Sequence, residues 1–226
     1  MKKNLYDRKY FQDRLIGQQC MVFSIRKFLQ QKKAKRILDV GCGSGWLMRD
    51  LNKRGFRVTG CDSADEAVKI SGGIKANCTS LPFPDEAFDA VLGISLIEHL
   101  QKKETVKFVQ EACRVLKKGG WLFLVTPNYA TPLRVLMGNR WCGSADSSHI
   151  NFYTPWALQK LLKNYHLVNF QLTFPYYQNI PSDWGFPPLF QKLPSSLKNL
   201  ITYLIVSTPF YIFRHSFWLA GQKTSG

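Results

Sequence analysis

The sequence predicts an α/β fold, a mostly parallel sheet with helices packed on both faces. Three observations carry that prediction. From Ile37 onward, short apolar runs alternate with amphipathic stretches, the pattern of consecutive β–α–β units. A turn with glycines at alternate positions, Gly41, Gly43 and Gly45, joins the first apolar run to the first amphipathic stretch. The chain has 226 residues, enough for one domain with a full core or for one domain with an elaboration.

Taken in order, residues 12–31 read as a helix. Leu15, Ile16, Cys20, Phe23, Phe28 and Leu29 recur near helical spacing with no proline between them. Strands follow near 36–40, 56–61, 73–76, 88–94 and 120–126, with helices near 45–53, 64–71 and 103–116. Gly119-Gly120 is expected to close the last of these helices and open the fifth strand. Pro132, Gly138 and Gly143 mark residues 129–153 as a loop-rich insertion. Thr154-Pro155 is a helix start, a threonine cap with proline at the first position, and the helix should reach about Asn164. Residues 167–174 alternate and read as a sixth strand, with 216–220 as a seventh. Between them, residues 178–215 hold five prolines and an apolar run over 200–213. A spanning helix needs about 20 apolar residues; this run is shorter and carries Pro209. A substrate lid, a membrane-interfacial helix and a core helix all remain open for it.

The glycine turn is where chemistry enters. Its glycines let a strand bend sharply into a helix and leave bare backbone beside a helix N-terminus. A dinucleotide fingerprint needs a small residue where Trp46 stands, and a phosphate-cradling loop needs Gly-Lys-Ser/Thr at its end. Neither requirement is met. What remains is Asp39-Val40-Gly41-Cys42-Gly43-Ser44-Gly45 directly after a short buried strand. Phe56 to Asp62 then reads as a second strand ending in a carboxylate. Ala76 to Val91, Ser95-Leu96-Ile97-Glu98-His99-Leu100 and Glu111 to Leu122 follow in order.

These five stretches, in register from about Ile37 to Asn128, resemble the motifs of the class I S-adenosyl-L-methionine (SAM)-dependent methyltransferases. The resemblance implies a Rossmann-like seven-stranded sheet, mostly parallel, with an antiparallel last strand inserted between the fifth and sixth. It also implies SAM as cofactor and methyl transfer as the reaction. By the family pattern, Asp39 would lie near the methionine amino group, and Gly41, Gly43 and Gly45 would give the cofactor a close bed. Asp62 would hold the ribose, since a carboxylate has acceptor sites for both hydroxyls. Asn77 stands where relatives often carry aspartate and would contact adenine through its amide oxygen. Cys78 and Ile94 complete the expected cofactor set.

Two histidines are candidates for catalysis. His99 follows Glu98 just past the fourth strand, and His149 lies in Ser148-His149-Ile150-Asn151-Phe152, similar to a His-x-x-Phe stretch of small-molecule relatives. Imidazole titrates near neutral pH, which suits a proton acceptor for a hydroxyl nucleophile. The plainer alternative for each is a hydrogen bond within its loop. No metal site is expected, because none of the six cysteines forms a Cys-x-x-Cys pair or stands at zinc spacing from a histidine.

The formal net charge is +16 and is concentrated early: Lys2, Lys3, Arg8, Lys9, Arg14, Arg26, Lys27, Lys32, Lys33, Lys35 and Arg36 face only Asp7 and Asp13. Such an arm suits nucleic acid, an anionic membrane face or simply a solvated surface. The expected organisation is a basic helical arm over 1–35 and a SAM-dependent methyltransferase domain over 36–226, with insertions at 129–153 and 178–215. The N-terminal charges have no apolar stretch behind them, so a secretory signal is not expected. With unpaired cysteines, this predicts a cytoplasmic protein, with peripheral contact to an anionic membrane as a further option.

Both insertions follow strands at the ligand-facing edge of such a sheet. They gather Tyr129, Trp141, Phe152, Tyr153, Trp156, Tyr176, Tyr177, Trp184 and Phe186. An apolar, aromatic pocket favours a small apolar or aromatic acceptor, such as a quinone precursor, and O-methylation. An RNA methyltransferase using the basic arm is the first alternative; the chain lacks a recognisable RNA-binding module. A non-catalytic SAM-binding subunit is the second; the intact glycines and Asp62 stand against it. The acceptor atom and the oligomeric state are not legible in the sequence.

Overall fold

The computed structural model describes residues 18–173, 192–198, 200–201 and 215–224. Seven strands form one sheet: β1 (Arg36–Val40), β2 (Arg57–Asp62), β3 (Ile74–Lys75), β4 (Phe88–Ile94), β5 (Leu116–Pro127), β6 (Leu167–Thr173) and β7 (Ser216–Lys223). Their spatial order is β3-β2-β1-β4-β5-β7-β6. The first five pair in parallel. β7 runs antiparallel to both of its neighbours, β5 and β6, so the expected sheet and its inserted antiparallel strand are present.

The described helices are α1 (Gln18–Gln31), α2 (Trp46–Lys53), α3 (Asp65–Ser71), α4 (Lys102–Val115), α5 (Leu133–Met137), α6 (Cys142–Ala145) and α7 (Pro155–Lys163). The central strands are buried on both faces, and their side chains alternate between two cores. Ile37, Leu92, Trp121 and Phe123 pack under α1 and α2 with Ile25, Phe28, Leu29, Leu47 and Leu51. Leu38, Val91, Leu122 and Leu124 pack on the other side with Phe108, Val109, Ala112 and Val115 of α4 and Leu158 and Leu162 of α7. Each such side chain contributes about 1.5–3 kcal/mol on leaving water.

Of the apolar residues that mark α1, Phe23 lies outside the core. Phe23 is 57% exposed, with the Arg26 guanidinium 5.2 Å above its ring. The buried face of α1 is Val22, Ile25 and Leu29, an i, i+3, i+7 stripe that leaves position 23 on the flank. Gly119-Gly120 does not close a helix: α4 ends at Val115 and the strand begins at Leu116. The pairing jumps from Phe88↔Leu116 to Ala90↔Trp121, and Gly119 at φ +76 makes the irregularity possible. β7 holds it in place, with Gln222 Nε2 donating to the Gly119 carbonyl at 2.9 Å and Lys223 Nζ to the Leu116 carbonyl at 2.7 Å. The 129–153 insertion is not all loop: it contains α5, a 3-10 turn over Gly138–Arg140, and α6. Thr154 caps α7 as expected, its Oγ1 accepting from Ala157 N at 3.2 Å.

Leu15, Ile16, Tyr176, Tyr177, Trp184, Phe186 and residues 202–213 lie outside the described residues. Among the described residues, no helix is long and apolar enough to cross a membrane.

Candidate active site

The glycine turn leaves β1 at the C-terminal edge of the sheet. Gly41, Gly43 and Gly45 have φ of 73°, 52° and 72°, a region that L side chains avoid. Space is as limiting as torsion. A Cβ on Gly41 would lie 3.0 Å from Leu96 Cδ1, and one on Gly45 would lie 2.7 Å from Ser71 Cβ. The turn is anchored on the next strand, because the N–H groups of Gly41 and Cys42 both donate to the Cys61 carbonyl, at 2.8 and 3.0 Å.

Asp62 ends β2 and reaches the same turn. Its Oδ2 accepts from Gly43 N at 3.0 Å and its Oδ1 from Ala64 N at 2.9 Å. Asp39 is 2% exposed. Burial, and then the nearby Asp62 charge, push its carboxyl up to about 7. The neighbouring thiols are packing groups: burial pushes Cys42 up to about 12 and Cys78 up to about 11, far from the thiolate range that reactivity needs.

Asn77 opens the turn after β3. Its Oδ1 accepts from both Thr79 N and Thr79 Oγ1 at 2.9 Å. Both acceptor positions of the amide oxygen therefore serve the turn, and the amide NH2 is the group this residue offers a ligand. The following loop is held by two residues that the sequence reading passed over. Arg114 donates to the carbonyls of Leu81 and Phe83 at 2.9 and 2.8 Å and to Asp85 Oδ1 at 2.7 Å. It also forks onto Glu111, whose Oε2 accepts from Leu81 N at 2.7 Å. The Glu-x-x-Arg spacing on one helix face was the available signal.

Ile94 ends β4, and the chain turns at Ser95, whose φ is 49°. A 3-10 turn over Ile97–His99 follows. Glu98 is 1% exposed, and Thr126 Oγ1 on β5 donates to its Oε2 at 3.0 Å. The Glu98 carbonyl accepts from Ile150 N at 2.9 Å and Asn151 N at 3.0 Å; Asn151 Nδ2 also donates to the Leu100 carbonyl. These bonds staple residues 146–151 onto the turn after β4 and bring the two candidate histidines together. The His99 and His149 rings lie 4.6 Å apart at 66°. Ser148 Oγ lies 2.9 Å from His99 Nδ1 and donates to Asp146 Oδ1 at 2.5 Å. His149 Nδ1 lies 2.9 Å from the Gly143 carbonyl. Glu98, Asp146 and Ser148 were not singled out from sequence.

Beside this pair, Tyr129 and Phe152 stack at 5.5 Å and 22°, with Trp141 5.7 Å from Phe152. The Arg134 guanidinium lies 4.3 Å above the Tyr129 ring. Tyr153 turns away, its hydroxyl donating to Thr105 Oγ1 at 3.0 Å, and Trp156 is exposed.

The sequence matches a family described as "Methyltransferase domain" over residues 13–172. Ajmaline N-methyltransferase of Rauvolfia serpentina is 36% identical over 110 residues, which are 42% of this chain and 37% of that protein. The human probable tRNA methyltransferase 9B is 37% identical over 107 residues, 44% of this chain and 23% of that protein. The ubiquinone biosynthesis O-methyltransferase of Chromobacterium violaceum is 34% identical over 106 residues, 42% of this chain and 45% of that protein. The chain thus spans less than half the length of each of these curated relatives. Among solved structures, a SAM-dependent methyltransferase from Archaeoglobus fulgidus superposes with a TM-score of 0.65 at 16% identity, over 96% of this chain and all of that one; this likeness concerns the fold. With most of its length matched by the family, the chain belongs to the methyltransferase domain family.

Proposed function

We propose that the chain moves the methyl group of SAM to a hydroxyl of a small, apolar or aromatic acceptor. The observation that carries this reading is the juxtaposition at one sheet edge. The glycine turn with Asp62 lies on one side, and the paired His99 and His149 beside Tyr129, Trp141 and Phe152 lie on the other.

The residues fit the cofactor. Three left-handed glycines leave a backbone bed that a side chain would fill, and Asp39 and Asp62 flank it. In this reading Asp62 holds the ribose hydroxyls, while Asp39 pairs with the ammonium of the methionine moiety. Gly41, Gly43 and Gly45 form the bed. Asn77, Cys78 and Ile94 line the adenine side. Residues 36–226 act as the transferase domain and 1–35 as a basic arm ahead of it.

When bound, the cofactor supplies a sulfonium-activated methyl group. The protein must exclude water, align an oxygen for in-line displacement and remove that oxygen's proton. The aromatic group stacks the acceptor, and the imidazole pair receives the proton.

Thermal shift of the whole chain with SAM and with S-adenosylhomocysteine tests the cofactor half. Stabilisation by both is expected, and by neither NAD nor ATP. Radiolabelled methyl incorporation into a panel of catechols, phenols and amines tests the acceptor half. Label appearing in RNA rather than in any small acceptor would overturn the acceptor class.

A further inference from the structure

We infer that Asn77 selects the base of the cofactor as a hydrogen-bond donor, giving an amide N–H to adenine ring nitrogen N1, and not as an acceptor from the 6-amino group; this rests on the SAM reading above.

The partners of the amide fix its orientation. Thr79 N lies 2.9 Å from Asn77 Oδ1. A backbone N–H can only donate, so the atom it meets is the amide oxygen and the NH2 stands on the other side. Thr79 Oγ1 gives its one proton to the same oxygen, also at 2.9 Å. Both acceptor positions of that oxygen are then filled. Asn77 is exposed, and no described residue accepts from Nδ2, so both of its protons serve solvent or a ligand.

Strand pairing places this amide beside Asp62. β3 runs parallel to β2 with Lys75 opposite Asp62, and Ala76 N donates to the Asp62 carbonyl at 3.0 Å. Asn77 is the next residue, and its own carbonyl closes the turn by accepting from Ser80 N at 3.0 Å. The far end of the turn is braced as well: Glu111 Oε2 accepts from Leu81 N at 2.7 Å, and Arg114 donates to the Leu81 carbonyl at 2.9 Å. A base is bonded directly to the ribose that Asp62 holds, so its edge comes to this turn.

Presenting the oxygen to the base instead would set the NH2 against the Thr79 N–H, donor against donor, and cost that N–H its partner. With the amide as it stands, a donor faces the base. It is repelled by the 6-amino group, itself a donor, and attracted by N1, the unprotonated ring nitrogen next to it. Selection falls on a purine with a lone pair at that ring position. An aspartate here would do the opposite, because its second oxygen would accept from the amino group and repel N1.

The test is calorimetric titration of the full chain with S-adenosylhomocysteine and three analogues: one lacking the 6-amino group, one with N1 replaced by C–H, and one with N7 replaced by C–H. Loss of N1 should weaken binding about fivefold, the scale of one neutral hydrogen bond, and loss of the amino group or of N7 by less than about twofold. Asn77→Asp keeps the oxygen that Thr79 uses and turns the donor into an acceptor. In that variant the N1 penalty should vanish, and a penalty of about fivefold for loss of the amino group should appear. Asn77→Ala should remove the first penalty without creating the second. Circular dichroism reports folding, and Asn77→Asp decides alone if Asn77→Ala unfolds. Wild-type affinity that depends on the 6-amino group or N7 and not on N1 overturns the role of Asn77 alone. An N1 penalty that persists in Asn77→Asp does the same. Failure of the wild-type chain to bind S-adenosylhomocysteine overturns the SAM reading instead.

Discussion

Asp62 Oδ2 stands 3.0 Å from the backbone nitrogen of Gly43, so the end of β2 clamps the middle of the glycine turn before any ligand arrives. A carboxylate has about four acceptor sites; those not used by Gly43 and Ala64 can take ribose hydroxyls. Asp62→Ala should abolish the thermal shift given by S-adenosylhomocysteine and cost the free protein about 1–3 kcal/mol, since two backbone donors lose their partner. A shift of wild-type size in the variant would contradict the assignment.

Asp39 sets a pH dependence. Its carboxyl is raised from 3.8 to about 7, by burial first and Asp62 second. A raised carboxyl favours the fold when protonated. That contribution is complete below about pH 4 and is lost as pH climbs through about 7. A shift of about three units corresponds to roughly 4 kcal/mol. Asp39→Asn keeps the shape without the charge, so its stability advantage over the wild type should widen from about pH 5 to pH 8 in urea titrations. An ammonium seated beside Asp39 favours the ionised form, so SAM binding near pH 7 should release a proton. Calorimetry in buffers of different ionisation enthalpy measures it, and Asp39→Asn should remove the effect.

Gly45→Ala combines two penalties. Its φ of 72° is left-handed, and the new Cβ would meet Ser71 at 2.7 Å. The torsion alone costs about 1–2 kcal/mol. The unfolding free energy from chemical denaturation should fall by more than that cost, whereas Gly55→Ala, at φ 87° with no atom within 4 Å of its added Cβ, should show the torsional cost alone.

Arg114 acts as a fork, and a lysine there would not replace it. Arg114→Lys keeps the charge but cannot span Leu81, Phe83, Asp85 and Glu111 together. About 1–3 kcal/mol of stability should be lost. Hydrogen exchange should rise selectively over residues 77–85, and KM for SAM should rise more than kcat falls.

Local signals made much of this legible in sequence. Alternating apolar runs marked the central strands, and the glycines between Asp39 and Trp46 marked the turn. A carboxylate at the end of a strand marked Asp62. The contacts that complete the second half of the site are long-range. Ser148 and His99 are 49 residues apart in the chain, and their meeting depends on the 146–151 loop folding onto the turn after β4. No periodicity encodes that. Asn77 shows the limit differently: its side chain was visible as a ligand candidate, but its use by Thr79 depends on the tight turn between Asn77 and Ser80.

The reversed strand has a consequence for how this protein could be re-engineered. Ser216 opens β7 opposite Pro127, the last residue of β5, and Thr173 closes β6 beside Trp218. The polypeptide therefore departs from the sheet and rejoins it on the rim that holds the glycine turn, with the His215 carbonyl pinned by Asn128 N at 2.7 Å. Both junctions are fixed by strand pairing and by that bond, not by the sequence that joins them. A chimera that exchanges the joining sequence while keeping Thr173 and His215 should keep both strand ends in register.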